Sequence, residues 1–212
     1  QAAGIDYTVI PVATDAITVV VNPENDWATE LSTEQLAAMW DPAAEGSIEN
    51  WNQIDPSFPD APLNLYGPGT DSGTFDYFTD EINGEEGASR ADYTASEDDN
   101  VLVLGVSGDQ NALGYFGMSY YLANPGVLQA VGISSEDTNG EAVVPSADTI
   151  DSYKPLARPI FIYVNNDALA SRPEVKSFVE FYSDQAMSSD LISEVGYAPL
   201  DESASIESPG QP

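Results

Sequence analysis

One loop of this sequence carries the residue types and spacing that can do chemistry. Gly69, Thr70, Asp71, Ser72 and Gly73 stand between a strand-like run, Leu63 to Tyr66, and a run in which Phe75, Phe78 and Ile82 share one helical face. A loop in that position points backbone N–H groups and hydroxyls at one spot, at the positive end of a helix dipole, and that combination holds an anion. The glycines let a ligand come close to the backbone, and Ser72 and Thr74 can donate from side chain as well as main chain. No Gly-Lys-Ser/Thr follows, so this is not a Walker loop, and there is no G-x-G-x-x-G with a downstream ribose acid. The same residues also suit a plain helix start, with Asp71 or Ser72 as the cap and the glycines as a turn.

Composition limits what else is possible. Of 212 residues, 36 are acidic and 5 basic, with no histidine and no cysteine, giving a formal charge of −31. Ser-His-Asp and Cys-His catalysis, His/Cys zinc sites and disulfide frameworks are therefore excluded, and there is no basic surface for nucleic acid. With 11 Tyr, 7 Phe and 3 Trp the chain is too aromatic for a disordered acidic segment and reads as a folded protein with an acidic surface. Such a balance fits adaptation to molar salt, where the Debye length falls to about 3 Å; an ordinary acidic secreted protein is the alternative. No cofactor and no metal site is expected: the acids at Glu85/Glu86 and Glu97/Asp98/Asp99 lack alternating ligand spacing and sit beside helix starts. Arg90 is one of three arginines and comes within reach of the loop if the acidic turn at Gly84 to Asp92 folds back. An ion pair with Glu85, Glu86 or Asp92 is its other reading. Arg158 and Arg172 read as an ion-pair partner near a domain crossing and a residue beside a helix start.

The elements that position the loop follow from pattern. Ile5 to Ile10 and Ile17 to Val21 read as two strands separated by Pro11 and Asp15. Ser32 and Gln35 make a capping box for a helix carrying Leu36, Met39 and Trp40, stopped at Asp41-Pro42. Pro42 to Pro62 is a turn-rich loop pinned by aromatics. Ser96 with Asp99 starts a helix through Val101, Leu102 and Gly105, and Ala112 to Gly117 and Val127 to Ile133 read as strands. Ser134 to Thr149 is a surface excursion, followed by a strand at Ile160 to Val164. A helix then starts at Ser171, Pro173 and Glu174, with Val175, Phe178, Val179 and Tyr182 as its buried stripe. Gly196 ends a last short helix. Strands alternating with helices argue for an α/β fold, and no apolar run is long enough to cross a bilayer. No signal peptide stands at Gln1, so the expectation is a processed start or a fragment.

Five blocks, in order, together resemble one family: "ITVVVNP" from Ile17, "YGPGTDSGTFDYF" from Tyr66, "SRADYTASEDDNVLVLGVSGD" from Ser89, "ALGYFGMSYY" from Ala112 and "PLARPIFIYV" from Pro155. They resemble the PstS-type phosphate-binding proteins, the substrate-binding components of phosphate ABC importers. The resemblance implies two α/β lobes joined by crossing strands, with phosphate clamped in a cleft and no chemistry performed on it. Ser72, Gly73 and Thr74 match the family's Ser-Gly-Thr phosphate loop, with Thr70 and Asp71 beside it. Many members have Arg where Pro68 stands and Gly where Asp71 stands, so the cation is expected from Arg90. The family also has an N-terminal segment before Ile5 with half of the phosphate ligands, and this chain does not contain it.

The expectation is therefore an α/β, periplasmic-binding-protein-like (type II) two-lobe fold, mixed sheets flanked by helices, with the N-terminal lobe incomplete. Residues 1–21 form part of lobe I and a hinge strand, 22–156 lobe II, 157–200 a return strand and C-terminal helices of lobe I, and 201–212 a flexible tail. The resemblance implies extracytoplasmic capture of inorganic phosphate, delivery to the ABC permease of a phosphate importer, and no enzymatic activity. A separate chain or segment would supply the missing N-terminal lobe. Two rival functions are a surface or assembly protein on the same scaffold, and a carboxylate-only hydrolase that no sequence feature supports.

Overall fold

In the computed structural model, which describes residues 4–188, 191–194 and 196–200, a single 15-residue strand, β1 (Tyr7–Val21), replaces the two strands expected around Pro11 and Asp15. Proline removes one ladder donor but is compatible with extended backbone. Thr14 is bridged to Ala198, and Asp15 is paired with Arg158 at 3.2 Å, so the chain stays extended through both residues. The elements that follow are β2 (Glu30–Ser32), α1 (Thr33–Trp40), β3 (Asn64–Gly67), α2 (Gly73–Asn83), β4 (Thr94–Ala95), α3 (Asp99–Ser107), β5 (Ala112–Gly117), α4 (Met118–Ala123), β6 (Gln129–Ala130), β7 (Gly132–Ser134), β8 (Ala157–Asn165), α5 (Asn166–Ser171), α6 (Pro173–Ser188) and α7 (Leu191–Glu194). The fold is mixed α/β, with helices flanking mixed sheets.

The chain forms two compact units, one from the described residues of Gln1–Asp15 with Arg158–Pro212, the other Ala16–Ala157. In the second unit the main sheet runs β4-β3-β5-β1-β6. β3 is parallel to both neighbours, with Tyr66 opposite Gly114 and Thr94, whereas β1 is antiparallel to β5 and β6. Ala16 to Val21 are buried without alternation, as a central strand covered on both faces requires. The strand expected over Val127 to Ile133 is two. Val131 N–H donates to Val19 at 2.9 Å in the main sheet and Gly132 N–H to Thr29 at 2.9 Å, where β7 runs parallel to β2. Ser32 caps α1 through the reciprocal bonds with Gln35 that the sequence predicts. Asp98, not Ser96, caps α3, accepting from Asn100 N–H at 3.0 Å.

In the first unit β8 pairs with β1, and α5 and α6 pack together. The stripe expected to be buried on α6 is not: Phe178 is 63% exposed, and Val175, Val179 and Tyr182 are half-buried. Helical spacing shows which residues share a face, and says nothing about what covers that face. The tail expected at 201–212 lies outside the described residues.

Four aromatic rings build the core beside β3. Phe78 of α2 stacks on Tyr115 of β5 at 3.8 Å, and Trp40 of α1 meets Tyr115, Tyr93 and Phe78 edge-on at 4.9, 5.1 and 5.7 Å. Such geometries add roughly 0.5–1.5 kcal/mol per pair beyond area burial. Gly67 ends β3 against these rings, and a Cβ there would lie 2.9 Å from Tyr115 Cε1 and 3.2 Å from the Trp40 ring. Gly67→Ala is therefore expected to destabilise the protein by about 1–3 kcal/mol, read as a lower urea midpoint at unchanged m. An unchanged midpoint contradicts this packing.

Candidate functional site

The loop between Gly67 and α2 leaves the sheet at the C-terminal edge of three adjacent parallel strands, and its conformation is set from both sides. Tyr93 O–H donates to Pro68 O at 2.8 Å, and Ser96 N–H, just past β4, donates to Gly67 O at 3.1 Å. Within the loop Ser72 N–H donates to Gly69 O at 3.2 Å. Ser72 is the N-cap of α2, with φ −100° and ψ 126°, and its Oγ accepts from Thr74 N–H at 3.2 Å. The cap satisfies one of the donors a helix start leaves over.

The structure thus brings Thr70, Asp71, Ser72, Gly73 and Thr74 together at one helix N-terminus. Thr70, Asp71 and Gly73 are exposed, while Ser72 and Thr74 are half-buried. The positive end of an 11-residue helix, glycine-flanked backbone and the hydroxyl residues Thr70, Ser72 and Thr74 meet in this place, an arrangement suited to an oxyanion.

Arg90 is not brought to this loop. Its backbone N–H donates to Trp40 O at 3.1 Å and its Nη1 to Met39 O at 3.1 Å and Ile48 O at 3.0 Å. Nε and Nη2 form a bidentate pair with Asp92, Nη2 at 2.8 Å from Oδ2. The side chain is buried, and it satisfies carbonyls at the C-terminus of α1, where a cation complements the dipole. Asn83, the last residue of α2, donates to the same Trp40 O at 3.2 Å. Arg90 therefore sits by the far end of α2, and an 11-residue helix is about 16 Å long. The ion pair with Asp92, the other reading of Arg90 from sequence, is the one present. Arg158 is likewise paired with Asp15, and Arg172 with Glu174 at 2.8 Å.

Sequence reasoning missed two residues that touch the loop. One is Tyr93, whose phenol is pushed above its ordinary range by burial and by the nearby Glu97 carboxylate. The other is Glu97, whose Oε1 accepts from Asp71 N–H at 3.4 Å. For Glu97 the available signal was the end of the short strand Thr94–Ala95, because residues just past parallel strands converge on one sheet edge. Among the described residues no group of His, Cys, Asp and Glu could hold a metal ion.

Comparison with known proteins places the chain in a family. Residues 1–185 match the model of the PBP superfamily domain. The chain is 49% identical over 202 residues to protein SphX of a Synechocystis species, covering 94% of this chain and 59% of that protein. It is 35% identical over 182 residues to the phosphate-binding protein PstS of Staphylococcus aureus, covering 85% of this chain and 53% of that protein. The crystal structure of a possible phosphate binding protein from Planctomyces limnophilus superposes with a TM-score of 0.80 at 41% identity, over 95% of this chain and 70% of that one. The chain belongs to the PBP superfamily, and its likeness within it is to PstS-type proteins. It spans little more than half the length of the two curated relatives.

The Arg90 hydrogen bonds hold the Asp92 carboxyl down from its ordinary 3.8 to about 2. A carboxyl depressed on folding contributes stability above its unfolded value and loses it as pH falls through its folded one. Asp92→Asn is expected to be less stable than the parent at neutral pH, with the gap closing between 3.8 and about 2, as read from urea midpoints. A gap that does not vary with pH contradicts this. Arg90→Met is expected to cost about 2–4 kcal/mol of stability, since it strands buried carbonyls and a carboxylate.

Proposed function

We propose that this chain captures inorganic phosphate for ABC-type import, the anion being held at the N-terminus of α2 by Ser72, Gly73 and Thr74, with Thr70 and Asp71 at the rim. The observation that carries the reading is the strand, loop and helix unit itself: a Ser-Gly-Thr sequence at the start of a well-capped helix, reached from Gly67 and fixed by Tyr93 and Ser96. The relatives named for phosphate binding support the choice of anion.

In this reading backbone amides, hydroxyls and the helix dipole of the loop contribute affinity. Hydrogen bonds to a charged ligand contribute about 1.5–3 kcal/mol each before desolvation and ordering. A chain of −31 repels a doubly charged anion at low ionic strength. The reading therefore includes a salt-rich, extracytoplasmic setting, where bulk repulsion is screened and the local dipoles decide. In the whole protein, closure of two lobes over the anion and transfer to a permease complete the function. Among the described residues no helix is long and apolar enough to cross a membrane.

Calorimetric titration of phosphate in molar potassium chloride tests the reading. Thr74→Val, which keeps shape and removes a hydroxyl donor, is expected to weaken phosphate binding about tenfold with little change in stability. Ser72→Ala is expected to weaken binding and also to cost about 1 kcal/mol of stability through the lost cap. Phosphate affinity unchanged in both variants removes this loop from the site.

A further inference from the structure

One donor of the α2 loop is already engaged by a carboxylate of the chain itself. Oε1 of Glu97 accepts from Asp71 N–H at 3.4 Å, and a Cβ at position 69 would lie 2.0 Å from that oxygen and 2.8 Å from Glu97 Cδ. Glycine at 69 thus leaves the space that the carboxylate fills. Glu97 reaches the loop because Ser96 N–H is tied to Gly67 O at 3.1 Å, which fixes the exit of β4 beside the exit of β3.

We propose that Glu97 is an internal competitor of the ligand: its carboxylate holds Asp71 N–H and the approach to Gly69 until an incoming tetrahedral oxyanion displaces it. The proposal rests on reading the loop as a phosphate site. An incoming oxyanion and the Glu97 carboxylate repel each other and compete for Asp71 N–H, and Glu97 makes no ion pair among the described residues. Displacement is easy, because the side chain is exposed and held at the loop by one long hydrogen bond. While the ligand is absent, the carboxylate occupies a donor that a capped helix start would otherwise present to water. When the ligand binds, the repulsion it must overcome lowers affinity and speeds release.

A structural brace predicts the opposite sign, so affinity decides between the two. Phosphate is titrated into the parent, Glu97→Ala and Glu97→Gln at one salt concentration, with folding checked by circular dichroism. Glu97→Ala is expected to bind phosphate about three- to tenfold more tightly than the parent, and Glu97→Gln to fall between, since the amide keeps the acceptor and drops the charge. Weaker or equal binding by Glu97→Ala, with the parent still binding, overturns the competitor and leaves the phosphate site standing. No phosphate heat from any of the three folded proteins overturns both.

Discussion

The approach of Gly67 to the Tyr115 and Trp40 rings fixes where β3 ends and the loop into α2 begins. The stacked pair Phe78 and Tyr115 ties α2 to β5, and Trp40 ties α1 to both. With the rings packed at these distances, β3 can end only where a residue without a side chain passes over them. The helix that follows then starts at one place, with Ser72 as its cap. A few tenths of an ångström of slack in that stack would pass directly to the donors of the loop, and hydrogen bonds of roughly 2.7–3.2 Å do not survive much displacement.

Electrostatics divides labour among a very small set of cations. Five basic residues serve 212, and four of them pair with carboxylates: Arg90 with Asp92, Arg158 with Asp15, Arg172 with Glu174 and Lys176 with Glu180. Arg90 closes the C-terminus of α1, so its positive charge faces a negative helix end and is not available to a ligand. At the α2 loop, peptide dipoles contribute positive potential. Dipoles of that kind act within the first turn of the helix, whereas the field of −31 charges is long-range and is screened in concentrated salt.

Much of this was legible before any coordinates. Local chemistry announced itself: the Ser32 and Gln35 capping box, the Phe75, Phe78 and Ile82 stripe, and the helix start at Ser72 depend on residues a few positions apart, where pattern is informative. What stayed hidden depends on distant neighbours. Pro11 does not break β1, because pairing across the chain holds the strand on either side of it. The change of sheet at Val131 follows from two partners, Val19 and Thr29, that no periodicity reveals. Arg90 was drawn toward the loop by the scarcity of cations, an argument from composition, whereas its place is decided by the unsatisfied carbonyls of Met39 and Ile48. Glu97 looked like one more solvated acid at a helix start, and only the parallel pairing of β3 with β4 sets it against Gly69.

Backbone amide resonances followed during a phosphate titration in molar potassium chloride test the central claim most directly. Saturable shifts that are largest at Asp71, Ser72, Gly73 and Thr74, and small at Arg90, are the predicted result. Shifts centred on residues outside the loop, or none in a folded sample at millimolar phosphate, would contradict it.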